Sequence, residues 1–299
     1  MMPRTETAHA EQRPTRRRAV DFLALTRPRV VLMVLVTTLV GFFLASQGAM
    51  DAVLLLKTLL GTGLAAGGTA ALNQYLERDV DRRMARTRLR PLPDGRLKPP
   101  EALIFGMAIT ALGLLDLLLA VSSLSALVTA ISVVSYLFHY TPLKRKSPLS
   151  TLVGAIPGAL PPVAGWAAAR GELSLEAWVL FAILFLWQIP HALAIAWLYR
   201  EDYAGAGFRL LPVIDPSGKR TALSIVSHCS ALLFVGLLPT AIGLAGLVYF
   251  FGAFVLGVVF LGCGIGLASS HSAKAARRLL HASLLYLPML LLLMALDKV

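Results

Sequence analysis

The stretch Asn73–Leu97, NQYLERDVDRRMARTRLRPLPDGRL, carries four acids and seven arginines. Directly before it lies AVLLLKTLLGTGLAAGGTAAL, residues 52–72, with a single charge. An apolar run of roughly 20 residues that ends in a dense charged loop is the mark of a helix leaving a bilayer. The same alternation repeats along the whole chain. Of its 299 residues, 57% are hydrophobic and only 15% are charged, too few to cover a soluble domain of this size. Nine apolar runs stand out, near residues 29–47, 51–76, 101–120, 123–140, 151–168, 176–198, 220–239, 245–268 and 278–296. None shows the period-two alternation of a membrane β-barrel. The chain therefore reads as an all-α, polytopic membrane protein of nine transmembrane helices around a central cavity.

Charge fixes the expected topology. Of 28 Lys and Arg, 25 fall in the N-terminal segment and the loops after even-numbered spans; Lys57, Arg170 and Lys298 are the exceptions. The positive-inside rule places those loops and the N-terminus in the cytoplasm and the C-terminus outside. The net charge of +12 follows from this asymmetry and is no argument for a nucleic-acid partner. Residues 1–21, polar and without an apolar core, read as a flexible cytoplasmic tail rather than a signal peptide. Residues 22–299 read as a single membrane-embedded domain. Cys229 and Cys263 stand alone in apolar runs and form no metal or redox pattern.

The second run continues helically to about Asp81. Asn73, Glu77 and Asp81 then share one face at spacing i, i+4, i+8, while Asp79 points elsewhere. Oxygen ligands in this number suit a hard cation such as Mg²⁺, usually held by one or two carboxylates together with substrate phosphates. Arg86, Arg88 and Arg90 follow and could grip phosphate oxygens. A second charged loop, YREDYAGAGFRLLPV (199–213), offers Asp202 and Arg209, and a third, YTPLKRKSP (140–148), offers Lys144 and Arg145. If the first two loops face each other, they make a polar cap over one cavity. A plain topology signal explains the arginines and lysines equally well, but leaves the acids unexplained.

Two apolar runs are irregular. TLVGAIPGALPPVAGWAA (151–168) has three prolines and three glycines in its middle, enough to bend or interrupt a helix. Irregular backbone at membrane depth is tolerated where it lines a cavity. FLWQIPHALAIAW (185–197) places Gln188 and His191 in an apolar helix beside Pro190. An intramembrane histidine is a candidate functional group; a single interhelical hydrogen bond is the competing reading.

These segments resemble a known family. Asn73, Glu77 and Asp81 followed by RTRLRPLPDGRL are similar to the first aspartate-rich motif of the UbiA superfamily of intramembrane prenyltransferases, and the loop at 199–213 to its second. LTRPRV (25–30), YTPLKRKSP, GALPPVAGWAA (158–168), FLWQIPH (185–191) and DYAGAGFRLLPV (202–213) resemble, within that superfamily, the protoheme IX farnesyltransferases. The chain departs from the superfamily pattern at Gln74 and Glu77, and at Tyr199 and Tyr203, where acids are usual. The resemblance implies farnesyl transfer from farnesyl diphosphate to a vinyl group of heme B, with addition of water, to give heme O for heme-copper oxidase assembly. It implies Asn73, Glu77, Asp81 and Asp202 as catalytic residues, the first three holding Mg²⁺. It further implies Arg86, Arg90, Lys144, Arg145 and Arg209 at the diphosphate, and His191 and Gln188 at the heme. The implied setting is a bacterial cytoplasmic (inner) membrane, with a heme A synthase or oxidase assembly factors as partners. Phe105, Tyr136, Trp187 and Trp197 are candidate cation-stabilising aromatics. A prenyltransferase with an aromatic or quinone-precursor acceptor would share the first motif. A secondary transporter would place its charges nearer the midplane.

Overall fold

A computed structural model describes residues 15–299, with side chains from Arg18 onward. Helix α1 (Thr15–Leu25) lies ahead of the first crossing. It begins inside the stretch expected as a flexible tail. Arg18 pairs with Glu101, and Asp21 with Arg96, so it is pinned to the end of the charged loop and the start of the helix that follows. Residues 1–14 of the expected tail lie outside the described residues.

The crossings follow in order: α2 (Pro28–Ala45), α3 (Ala52–Asp81), α4 (Pro99–Ala120), α5 (Ser123–Val134), α6 (Ser150–Ala159) with α7 (Pro161–Arg170), and α8 (Leu175–Leu198). After a short helix α9 (Arg200–Gly205) come α10 (Lys219–Val235), α11 (Leu247–Ser270) and α12 (Ala273–Leu296). Among the described residues, nine helical segments are long and apolar enough to cross a membrane, as the sequence led us to expect. Large apolar side chains such as Leu119, Leu223, Phe234 and Leu285 are exposed on the outer surface. A water-facing monomer would not carry so much apolar surface; lipid covers it.

Helix α3 positions the site. Its 30 residues rise about 45 Å, well beyond a hydrocarbon core of about 30 Å. It starts at Asp51, whose carboxylate accepts from the backbone N–H groups of Val53 and Leu54 and so caps the helix. The excess length lifts Glu77 and Asp81 to the membrane surface without interrupting the helix. Close packing against α4 holds it there: a Cβ on Gly68 would sit 2.1 Å from Thr110 Oγ1, so only glycine admits this approach.

The proline-rich run is interrupted where expected. Helix α6 ends at Ala159 and α7 restarts at Pro161. Pro161 has no N–H to offer the carbonyl of Pro157, and Ser132 Oγ donates to that carbonyl instead, at 2.9 Å. The fourth crossing has an interruption that the sequence did not announce. After α5, residues Ser135–Tyr140 form a π-helical turn before Thr141–Leu143 return to α geometry. Such turns often mark functional sites, and this one presents Tyr136 and Tyr140 to the interior.

Two of the three basic residues that depart from the charge rule have a structural task. Arg170 Nε donates to the Ala45 carbonyl, and Lys298 Nζ to those of Phe43 and Ser46. These are orphan carbonyls at the C-terminal end of α2, where cations also complement the helix dipole. Lys57, near the start of α3, is exposed.

Candidate active site

The acids of α3 stand as a stripe, with Asn73, Glu77 and Asp81 all buried. Asp79 points away, as its position on the helix requires, and its side chain is 68% exposed beside Arg78. Each buried acid has a cation. Asp81 Oδ2 accepts from Arg90 Nη1 at 2.7 Å, and Glu77 Oε1 from Lys144 Nζ at 2.8 Å. Asn73 Nδ2 donates to Thr141 Oγ1 at 3.0 Å, while its Oδ1 is buried with no partner.

The loop after α3 folds back over the helix end. Thr87 Oγ1 donates to the Asp81 carbonyl and Arg82 to that of Pro93. Its backbone N–H at Ala85 donates to Asp202 Oδ1 at 3.0 Å, and Arg86 to the Tyr203 hydroxyl at 2.8 Å. The two charged loops therefore meet over one cavity. Below them is a polar pocket of about 150 Å³ whose wall includes Glu77, Asp81, Arg86, Arg90, Lys144 and Tyr203. Lys144 lies 4.2 Å from the centroid of the Tyr140 ring. Burial works against its charge, but Tyr140 and Glu77 outweigh that, and its pKa is raised. Burial, and then the nearby charge of Arg27, lower the pKa of Arg90.

A second cavity of about 280 Å³ continues into the membrane. Its wall is mainly apolar, with Val30, Val31 and Val34 of α2, Ala66 and Ala70 of α3, and Leu160 and Ala164 at the α6–α7 break. Arg27, Tyr136 and Tyr140 line both cavities and mark the boundary between them. An anion held in the first can carry an apolar chain into the second.

The structure sorts the residues expected at this site. Glu77, Asp81, Arg86, Arg90 and Lys144 are together, with Asn73 one turn behind Glu77. Asp202 is not in the pocket wall; its carboxylate is used in capping the loop at Ala85. Arg145 and Arg209 are exposed and absent from that wall. Arg209 contributes through its backbone, where its N–H donates to the Lys144 carbonyl at 2.8 Å. Gln188 does line the apolar chamber, but His191 does not. The His191 ring is stacked on Trp187, and its Nδ1 is 2.7 Å from Ser283 Oγ of α12. Gln188 and His191 are three apart on one helix, which leaves them only about 60° apart around its axis; Gln188 falls on the chamber side of that arc and His191 on the side that packs against α12. Of the aromatics expected at the cation, Tyr136 alone lines the chamber, joined by Tyr140. Trp187 donates to the Ser283 carbonyl, and Phe105 packs on Phe22.

We expect Asp202→Ala to lower stability by about 1–2 kcal/mol, the scale of a charge-assisted hydrogen bond. Turnover should fall by a comparable factor, roughly tenfold. Thermal unfolding and initial rates measure the two effects. A loss of turnover as deep as that for Asp81 would put Asp202 in the chemistry.

Metal ligation rests on the donor set. Among the described residues no three His, Cys, Asp or Glu side chains gather into a cage. Two carboxylates and an amide oxygen without a partner, beside a cationic pocket, match an ion completed by substrate phosphates.

Residues 34–292 match the UbiA prenyltransferase family. The chain belongs to that family. Among its UbiA relatives, the protoheme IX farnesyltransferase of Solibacter usitatus is 49% identical over 287 residues, covering 93% of this chain and 98% of the relative. That of Myxococcus xanthus is 41% identical over 293 residues, 98% of each chain. Among solved structures, digeranylgeranylglyceryl phosphate synthase superposes with a TM-score of 0.77 at 16% identity, over 94% of this chain and 98% of that one. A UbiA homologue from Archaeoglobus fulgidus bound to DMAPP and Mg²⁺ superposes with a TM-score of 0.66 at 16% identity, over 92% and 99%. These two structures establish the UbiA fold.

Sequence reasoning missed Arg27, Tyr140 and Tyr203 in this UbiA site. Arg27 stood in the quoted LTRPRV segment and was counted only as a topology charge. The tyrosines become visible as site residues only once the π turn and the meeting of the loops are known.

Proposed function

We propose that the protein transfers the farnesyl group of farnesyl diphosphate to a vinyl group of heme B, giving heme O and diphosphate. The carrying observation is the polar pocket of Glu77, Asp81, Lys144 and Arg90 opening, past Tyr136 and Tyr140, onto an apolar chamber. Relatives such as that of Solibacter usitatus, 49% identical, bear the name of this activity and support the acceptor.

The chain's residues act as follows. Lys144 and Arg90 neutralise Glu77 and Asp81. When the diphosphate enters, Lys144, Arg90 and Arg86 turn toward its oxygens and the acids are freed. Asn73, Glu77 and Asp81 would hold a divalent cation such as Mg²⁺, a reading supported by the Mg²⁺ bound to the Archaeoglobus homologue, and the ion would supply Lewis-acid neutralisation of the departing charge. The C1–O bond breaks and its electron pair leaves with the diphosphate. The outer vinyl carbon bonds to C1, and water adds to the inner vinyl carbon and releases a proton. Tyr136 and Tyr140 present ring faces where the allylic cation forms. The apolar wall keeps bulk water away until the carbon–carbon bond exists. Gln188 is the contact we assign to the acceptor. His191 supports that helix through Ser283.

The setting we infer is a bacterial cytoplasmic membrane with the site on the cytoplasmic face. A reporter fused at Gly95 should read inside and one at Val299 outside. A cytoplasmic reading at Val299 would shift the crossing count by one. Acceptor choice is tested by competition. With labelled farnesyl diphosphate and equal heme B and 4-hydroxybenzoate, label should enter the porphyrin. Label in the aromatic acid instead would assign a different acceptor class.

A further inference from the structure

Arg27 is built unlike the other arginines near the site. It joins α1 to α2 with φ 51° and ψ 66°, one of two non-glycine residues with positive φ among the described residues. That conformation strains a residue with a Cβ, and such strain persists where the surroundings enforce it, often at functional sites. Its side chain lines both the polar pocket and the apolar chamber. Its Nε is buried and has no hydrogen-bond partner. No acid pairs with it among the described residues. The other cations of the pocket wall are occupied: Arg90 by Asp81, Lys144 by Glu77, and Arg86 by the Tyr203 hydroxyl. A buried charged donor without an acceptor is costly, so its partner is expected to arrive with the ligand. A topology charge needs neither strain nor an inward Nε. Arg29, two residues on, is exposed and fits that simpler role.

The boundary between the cavities is where the bond between prenyl carbon and diphosphate oxygen has to lie. We propose that Arg27 donates to the oxygen bridging C1 and the diphosphate, and stabilises the charge it gains as the C1–O bond breaks. The electron pair of that bond stays on this oxygen. Arg27 transfers no proton. This rests on the prenyl-transfer reading above, and the chief rival is that Arg27 instead holds a carboxylate of the acceptor.

The test compares wild type, Arg27→Asn and Arg27→Lys with two acceptors, heme B and its dimethyl ester, which has no free carboxylate. Asparagine tolerates the left-handed backbone and removes the cation. We expect kcat to fall about a hundredfold in Arg27→Asn, the scale for losing one preorganised donor. KM for the donor should stay within a few-fold, and the fall should be the same with both acceptors. Arg27→Lys, which keeps the charge but not the planar fork, should lie between. Guanidinium ion should restore part of the Arg27→Asn rate. A wild-type kcat in Arg27→Asn overturns the proposal, and so does a loss that disappears with the dimethyl ester. If the asparagine variant does not fold, the lysine variant decides by the same comparison. Wild type inactive on both hemes would instead strike the acceptor assignment. Release of diphosphate with whichever acceptor then proves active still reads the role of Arg27.

Discussion

Asp81→Asn lowers turnover by about a thousandfold or more while the protein stays folded in the membrane. Asp81 is the most enclosed acid of the stripe, with its side chain 2% exposed. Preorganised charge in a water-excluded site contributes about 10²–10³ per contact; this carboxylate holds Arg90 and would hold the proposed cation. Asparagine keeps the hydrogen bond to Arg90, so its effect isolates the charge. Alanine at the same position also removes turnover, but leaves the half-buried Arg90 beside Arg27 without a counter-charge. Glu77→Ala should be equally inactive, whereas Glu77→Asp keeps activity, because the shorter acid still faces the pocket. Asp79→Ala, at an exposed position, should stay within about twofold of wild type. Steady-state rates across a Mg²⁺ titration check all five. Full activity of Asp81→Asn with an unchanged Mg²⁺ dependence would remove the site from α3.

Lys144→Met is the second large effect, and it has two parts. The ammonium is the counter-ion of the buried Glu77 and, in the proposed cycle, a ligand of the diphosphate. Breaking a buried pair by removing one partner costs about 3–5 kcal/mol, since the remaining charge is left uncompensated. The variant should therefore unfold at a lower temperature and bind farnesyl diphosphate poorly. The double variant Lys144→Met with Glu77→Gln separates the parts. Stability should return, because no buried charge is left alone, while donor affinity and turnover stay lost. Recovery of both stability and turnover would mean that Lys144 serves the fold alone.

Much of this was legible in the sequence, and the reasons differ by element. The nine crossings are long apolar runs without period-two alternation, and a bilayer then leaves the backbone only the helix. The stripe of Asn73, Glu77 and Asp81 follows from helical period alone, as does the outward Asp79. The α6–α7 break was written in Pro157, Pro161 and Pro162. Residues whose role depends on tertiary placement were misplaced or missed. Asp202 looked like a second site acid, but its carboxylate reaches the backbone of Ala85. His191 and Gln188 looked equivalent in WQIPH, yet Gln188 lines the chamber while His191 bonds to Ser283 of α12. Nothing local announces the π turn that aims Tyr136 and Tyr140, or the left-handed backbone that turns Arg27 inward.

The central claim is farnesyl transfer to heme at the Glu77–Asp81 pocket. Its most direct test is the mass of the pigment formed when the purified protein in lipid meets heme B, farnesyl diphosphate and Mg²⁺. The account predicts a porphyrin bearing one hydroxyethylfarnesyl group, formed with release of diphosphate, absent with chelator and absent with Asp81→Asn. Heme B recovered unchanged, while the same preparation prenylates another acceptor, would contradict it.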